Sequence, residues 1–370
     1  MSDTANRRKV VICGGGVIGA SIAYYLSALD STNFEICLIE RESLACGASG
    51  KAGGFLALDW CEGSTTDKLA RESFNLHIDL ANKLNGGERY GYRRLEALSV
   101  AASLSDKGTK ESPLPWLNGS VIKSSSILGG QATTAQVHPY YFTHTLWQEA
   151  ETRGAKLQHG RVEGIKYDSS GNAQGVFVDG TIIAADVVIL AMGPWTKFCS
   201  NWMPFDIPID GERAHSIVMV PEKPISGHAL FLSLSDGTEP EIYPRPDNRV
   251  YMCGEIDKVP LPEDPSDILP DHDACMRLKT RAGILSAALD EAVLEREQAC
   301  YLPQTWHGPP IIGAVPEINN LYIAAGHSCW GILYAPATGL AMAELLVHGK
   351  TTSIDISRFD PARYLRPKTA

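Results

Sequence analysis

The chain opens on a short run of buried type, Lys9 to Cys13, apolar after its first residue, which predicts a short strand. Four glycines follow in Gly14-Gly15-Gly16-Val17-Ile18-Gly19, and then Ile22, Leu26 and Leu29 recur at helical spacing, predicting a helix over 20–29. Residues 34–39 read as a second strand, ending at Glu40. Strand, glycine turn, helix, strand and acid make one βαβ unit in about 35 residues. Residues 41–58 are rich in Gly, Ala and Ser and predict a loop that approaches something closely. Helical patterns follow over 66–84, 139–153, 271–289 and about 335–348, with strand and turn material over 88–103, 121–135, 156–188 and 204–249. Residues 186–191 and 321–325 are further buried strands, closing on Gly193-Pro194-Trp195 and on Gly326-His327.

Composition narrows the class. With 370 residues, 44% hydrophobic and 21% charged, the chain has the make-up of a globular enzyme of two interlocked lobes. A net charge of -10 repels polyanions, which argues against nucleic acid or an anionic membrane surface as partner. The longest apolar stretches, 186–192 and 321–325, fall far below the roughly 20 residues of a membrane span. The first residues lack the apolar core of a signal peptide, and Pro-Lys-Thr-Ala at the end is neither a peroxisomal tripeptide nor a prenylation box. Nine scattered cysteines without a Cys-x-x-Cys pair argue against a disulfide framework or zinc site and fit a reducing compartment, so a cytoplasmic protein is expected. No spacing predicts a metal, and Gly-x-Ser-x-Gly is absent.

The glycines have a physical logic. Gly14 permits the tight turn, Gly16 lets backbone approach a pyrophosphate, and Gly19 lets helix and strand pack closely. Glu40 stands 21 residues beyond Gly19, where a carboxylate accepts from ribose hydroxyls and repels a 2'-phosphate, disfavouring NADP. This motif alone does not choose between NAD and FAD.

Four further segments bear on that choice. They are the small-residue run Leu44 to Phe55, the strand Val187 to Trp195, the pair Ile311-Ile312-Gly313 with Leu321 to His327, and Gly331-Ile332-Leu333-Tyr334-Ala335-Pro336-Ala337-Thr338-Gly339. Together they resemble the D-amino acid oxidase, glycine oxidase and sarcosine oxidase family of FAD enzymes over nearly the whole chain, closely in the FAD lobe and loosely elsewhere. The resemblance implies an α/β fold: a glutathione-reductase-like, Rossmann-type FAD lobe (1–60, 139–203 and 301–370) with an antiparallel-sheet substrate lobe (61–138 and 204–300) inserted in segments. It implies FAD held by Gly14, Gly16, Val17, Ile18, Gly19, Glu40 and Arg41, and by the run Ser49-Gly50-Lys51-Ala52-Gly53-Gly54. Val162, Gly193 and Trp195 join them, and Gly331, Ile332 and Leu333 would lie where the closing helix aims its N-terminus at the flavin. Cys300 matches the cysteine that sarcosine oxidase-like members join to the flavin. Two outcomes stay open there, a thioether link or a buried unlinked thiol.

The departures carry equal weight. Where glycine oxidase-like members clamp a substrate carboxylate with arginines, this chain has Leu302 and Cys329, and neither can form the bidentate contact. Glu241 stands near where those relatives place a tyrosine, and a buried glutamate favours a cationic group. Arg93, Arg213 or Arg245 remain as carboxylate contacts from another wall. His327, Trp330 and Glu241 are the candidate catalytic residues, with Tyr334, Trp195 and Trp306 as further pocket walls. The implied reaction is hydride transfer from a C–N bond of a small amine or amino compound to flavin N5, giving an imine and, with O2 as acceptor, hydrogen peroxide. The alternatives are a dehydrogenase with another acceptor, another flavoenzyme class such as a monooxygenase or hydroxy-acid oxidase, and a flavin-binding assembly or trafficking factor.

Overall fold

The computed structural model describes residues 7–105, 108–109 and 111–368. The expectations drawn from the first six residues and from the final dipeptide lie outside the described residues.

A six-stranded sheet forms the centre of the first lobe. Its strands lie in the order Ile311–Ala314, Leu321–Ala325, Val187–Leu190, Arg8–Cys13, Phe34–Glu40 and Lys156–His159, all parallel except Ile311–Ala314. Both faces are covered, which is why its inner strands read as continuous apolar runs. Val10 and Ile12 point to one core, against the helices Val17–Leu29, Pro139–Thr152 and Gly331–His348. Val11 and Cys13 point to the other, beneath a three-stranded antiparallel sheet, Val162–Tyr167, Ala173–Val178 and Thr181–Ala184. The turn at Asp179-Gly180 has positive φ at both residues, as a tight hairpin demands.

The closing helix, Gly331–His348, is packed between Val17–Leu29 and the helix Asp67–Lys83. Gly339 makes the first contact possible, because a Cβ there would lie 2.7 Å from Ser21. Pro336 cannot donate to the carbonyl four residues back, that of Ile332. Buried His77 fills the gap: its Nε2 lies 2.9 Å from the Ile332 oxygen. This helix with its preceding turn, Ser328–His348, is long and apolar enough to cross a membrane, but 72% of its apolar window is buried inside the protein. Interspersed Gly, Pro and Thr break its apolar run in the sequence, so no single stretch stood out.

A seven-stranded sheet forms the second lobe, in the order Val293–Thr305, Ile209–Val220, Val250–Asp257, Glu241–Pro244, Ala229–Leu234, Ala97–Ala102 and Ile122–Gly129. It is antiparallel except for one pair, Ala229–Leu234 with Ala97–Ala102, which runs parallel. Strand Val293–Thr305 pairs with Ile209–Val220 through to Thr305, so the boundary expected at 300/301 falls inside a single strand. The helix His272–Leu285 covers the outer face, through Leu278, Ala282 and Leu285 against Ile217, Ile242 and Met252. The expected helix over 271–289 is interrupted at Ser286, and Ala287–Asp290 forms a separate turn. The inner face, with Phe231, Tyr243 and Tyr251, turns toward Phe55 and Trp330. Residues 41–58 are not all loop: Ala48–Lys51 is a helical turn and Phe55–Ala57 is a strand paired with Thr134–Gln136.

Candidate functional site

The first strand runs into Gly14, whose φ is +112° and where a Cβ would lie 2.5 Å from the Ala191 carbonyl oxygen. At Gly19 a Cβ would lie 2.0 Å from the Gly14 oxygen, so the first helical turn rests directly on the glycine turn. Gly16 is the N-cap and offers no side-chain cap; the Val17 N–H donates instead to Ser49 Oγ at 2.9 Å. Glu40 is already partly engaged. Its Oε2 accepts from the Gly15 N–H at 2.7 Å and its Oε1 from the Glu42 N–H at 3.0 Å. The carboxylate therefore braces the turn as well as facing the cavity, and its remaining lone pairs are those left for ribose hydroxyls.

A cavity of about 370 Å³ opens over this turn. Of the residues expected at FAD, Gly14, Gly16, Val17, Ile18, Glu40, Arg41, Ser49, Ala52, Val162, Gly193, Trp195, Gly331 and Ile332 line it. The arrangement fits a dinucleotide. The helix N-terminus, where Gly16 supplies no side-chain cap, faces the space, and the N–H groups beyond Val17 and their partial positive charge suit a pyrophosphate. At Gly193, with φ +54°, a Cβ would meet no atom within 4 Å, so a side chain there would project into open space. Arg41 is held by the Glu263 carbonyl at 2.6 Å and by Asp264 at 3.5 Å, and the Trp195 indole N–H donates to the Pro262 carbonyl at 2.9 Å.

Other expected residues are off the wall. Gly50 is pressed against the Ala45 carbonyl, Gly53 against the Tyr243 ring, and Gly54, with φ +80°, against the Val137 carbonyl. Lys51 Nζ donates to the Ala299 carbonyl at 3.0 Å, and Leu333 is buried in the helical core. Gly160, Arg161, Phe198 and Trp202 line the cavity without having been anticipated. Sheet order brings Gly160 and Arg161 there, since the Gly160 N–H donates to the Glu40 carbonyl at 2.9 Å across neighbouring strands, while Phe198 and Trp202 come from the 3-10 helix Gly193–Trp202.

At the far end the wall is made of Leu302, Pro303, His327 and Cys329. His327 is buried, and that burial pushes its pKa down to about 3. Its Nε2 meets Thr338 Oγ1 at 3.1 Å, so a neutral ring ties the turn to the closing helix. Cys300 does not line the cavity; burial pushes its thiol up to about 11, against an opposing pull from Lys51.

Glu241 and Trp330 belong to an adjoining aromatic cluster. Phe231 is paired opposite Glu241, and its ring centroid lies 4.7 Å from that of Trp60 and 5.0 Å from that of Phe55. Trp330 meets Trp60 edge-on at 6.4 Å. Glu241 Oε2 accepts from Tyr243 Oη at 2.6 Å and from Cys253 Sγ at 3.7 Å, while Oε1 has no hydrogen-bond partner among the described residues. Burial raises the carboxyl pKa against the pull of these two donors. The cluster adjoins the cavity at Cys329, whose thiol is pushed up by burial first and also by the Glu241 charge.

Three expectations fail on geometry. Trp306 is 73% exposed and walls nothing. Tyr334 is committed to Cys61 at 3.1 Å and Thr66 at 2.9 Å. Arg213 is taken up by Asp257, with contacts of 2.5–3.1 Å to both carboxylate oxygens.

Comparison with known proteins agrees with this architecture. The family model described as FAD dependent oxidoreductase matches residues 9–345. A protein of Schizosaccharomyces pombe named only as a candidate oxidoreductase is 35% identical over 96% of this chain and 98% of its own. The glycine oxidase of Geobacillus kaustophilus is 27% identical over 97% of this chain and 98% of its own. A crystal structure of glycine oxidase from that organism superposes with a TM-score of 0.79 at 25% identity, covering 97% of this chain and 99% of that one. A 4-methylaminobutanoate oxidase of Paenarthrobacter nicotinovorans is 26% identical over 98% of this chain and 47% of its own. With a glycine turn, the helix that follows it and a closing helix around one cavity, and a family match over most of its length, the chain belongs to the FAD-dependent oxidoreductases of the D-amino acid oxidase family.

Proposed function

We propose that this protein oxidises a C–N bond of a small amine that has no carboxylate on the reacting carbon, giving an imine, with O2 as acceptor and hydrogen peroxide as co-product. The observation that carries the reading is Glu241: a half-buried carboxylate with one unpartnered oxygen, set among Phe55, Trp60, Phe231 and Tyr243 beside the cavity end. Aromatic faces and a carboxylate together suit an ammonium group. Leu302 and Cys329 on the cavity wall offer no fork for an α-carboxylate.

When bound, FAD supplies the hydride acceptor. The chain's own residues supply position and proton handling. An amine arriving as its ammonium form loses a proton to Glu241 Oε1, and the neutral amine then has the lone pair that expels hydride from the adjacent carbon. Burial favours both changes, since it disfavours the charged form of each partner. The aromatic cluster keeps water from the unprotonated amine. His327, neutral and tied to Thr338, holds the turn that carries Cys329 and Trp330. Relatives named for oxidation of glycine and of 4-methylaminobutanoate, both amines, support the reaction class. The nine cysteines suit a reducing compartment, and the cytoplasm is the proposed location.

The test is turnover of the flavin-loaded protein with primary and N-alkylated amines, following oxygen uptake and peroxide. Oxygen consumption matched by peroxide supports the reading. Reduction of an artificial acceptor without oxygen uptake would assign a dehydrogenase instead, and no turnover with any amine would overturn the proposal.

A further inference from the structure

One connection of the second lobe leaves that lobe and reaches the first. Strand Val250–Asp257 and helix His272–Leu285 both belong to the seven-stranded sheet and its outer cover. The chain between them, residues 258–271, is far longer than the usual connection of roughly 4–6 residues. Its two stems are held by their own lobe. Tyr301 Oη donates to the Pro260 carbonyl at 2.9 Å and Arg213 Nη1 to the Leu269 carbonyl at 3.3 Å, while Ile268 is buried in one cluster with Ala299 and Tyr301. The tip between the stems crosses to the first lobe. The Trp195 indole N–H donates to the Pro262 carbonyl at 2.9 Å, Arg41 Nη1 donates to the Glu263 carbonyl at 2.6 Å, and Arg161 Nη2 meets Glu263 Oε2 at 3.2 Å.

All three partners of the tip line the dinucleotide cavity, and so do Glu263 and Pro265 from the tip itself. They gather at the end where Glu40 lies, since Arg41 follows it directly and the Gly160 N–H, next to Arg161, donates to the Glu40 carbonyl. His327 and Cys329 stand at the other end of the same cavity. The joins differ in weight. The Arg161–Glu263 pair has side chains 49% and 74% exposed and contributes little. Arg41, only 17% exposed, and the Trp195 hydrogen bond therefore supply most of the attachment. Asp264 shapes the tip: its carboxyl is held below the ordinary range first by the Ser266 N–H and hydroxyl, then by Arg41 and Arg161. Pro260, Pro262, Pro265 and Pro270 restrict the free chain, so less entropy is lost when the tip is held. Among the described residues, every hydrogen bond that joins the tip to the first lobe runs through a side chain, so the two can part without breaking either main sheet.

We propose that residues 261–268 form a strap over the adenosine half of the bound cofactor, and that opening of this strap sets the rate at which FAD enters and leaves. Glu40 assigns that end of the cavity to the adenosine ribose, and the strap is its outer wall. Arg41 and Trp195 thus hold the cofactor in place partly through the second lobe rather than by direct contact alone. Closure of this kind suits a protein whose Cys300 lies off the cavity wall, because retention then depends on non-covalent contacts.

The experiment measures cofactor exchange and needs no turnover, so it stands or falls apart from the amine reading. Release is followed as the rise in flavin fluorescence when FAD-loaded protein is diluted, and uptake as its quenching when flavin-free protein is mixed with FAD. Two variants loosen the strap: Pro262→Gly combined with Pro265→Gly in the tip, and Trp195→Phe, which keeps a ring and removes the donor. Both rates are expected to rise about fivefold or more in each, because a closed strap obstructs passage in both directions and one lost hydrogen bond has that weight. Faster release with unchanged uptake would show lost contact with the cofactor and overturn the strap. Faster uptake with unchanged release, or two unchanged rates, would overturn it as well. Should the proline variant fail to fold, Trp195→Phe decides by the same criterion.

Discussion

Tyr243 donates its phenolic hydrogen to Glu241 Oε2 at 2.6 Å, and this bond orients the carboxylate so that its other oxygen is left for a ligand. The tyrosine is itself fixed, because its ring lies on the backbone of Gly53, where any side chain would collide with it. A glycine within the run that follows the nucleotide-binding unit thus sets the position of an acid in the other lobe.

Replacing Glu241 by Gln should leave flavin content unchanged and lower kcat/KM for amines by about 10- to 100-fold, the weight of a charge-assisted hydrogen bond. Tyr243→Phe should show a smaller loss of the same kind. Steady-state kinetics across pH checks both, and a change confined to flavin content would contradict the assignment.

Stability should report the same carboxyl. Burial raises the folded-state pKa of Glu241, so its contribution is most favourable below the unfolded value of about 4.5 and declines as pH rises through the folded value. Without ligand, Glu241→Gln should therefore unfold at a higher temperature than wild type at pH 8, with the gap closing toward pH 4. Calorimetry at the two pH values checks the sign.

Histidines push the other way. Burial lowers the pKa of His327 to about 3 and that of His77 to about 4. Both are below the unfolded value of about 6.5, so each contributes stability above that pH that is lost on acidification. With both titrating, stability should fall by up to about 2.7 kcal/mol per pH unit between roughly pH 6 and 4. His327→Gln, which keeps a partner for Thr338, should flatten the slope by one proton; denaturant titrations over that range decide it.

Flavin attachment has a simple readout. With its thiol held protonated by burial and off the cavity wall, Cys300 should not be joined to the cofactor. Acid precipitation should leave the yellow colour in the supernatant, and Cys300→Ser should keep its flavin. Colour that stays with the pellet in wild type alone would show the link.

Legibility followed physical scale. The βαβ unit could be read because the glycine turn, helix spacing and Glu40 lie within one local stretch, and the structure moves its boundaries by only a few residues. The closing helix starts at Gly331, four residues before its apolar pattern becomes regular, because Pro336 and the small residues obscure the period and His77 compensates from another helix. Gly160 and Arg161 were invisible because sheet order, not sequence, brings them to the cavity. Glu241 stands out in the sequence through a departure at one position, but its aromatic surroundings join Phe231 to Phe55 and Trp60, which lie more than 170 residues earlier in the chain.

The most direct test mixes flavin-loaded protein with candidate substrates in the absence of oxygen and follows the yellow absorbance of the oxidised flavin. Amines without an α-carboxylate should bleach it, faster than glycine or D-alanine do and much more slowly in Glu241→Gln. Bleaching fastest with glycine or D-alanine, or by no amine at all, would contradict the account.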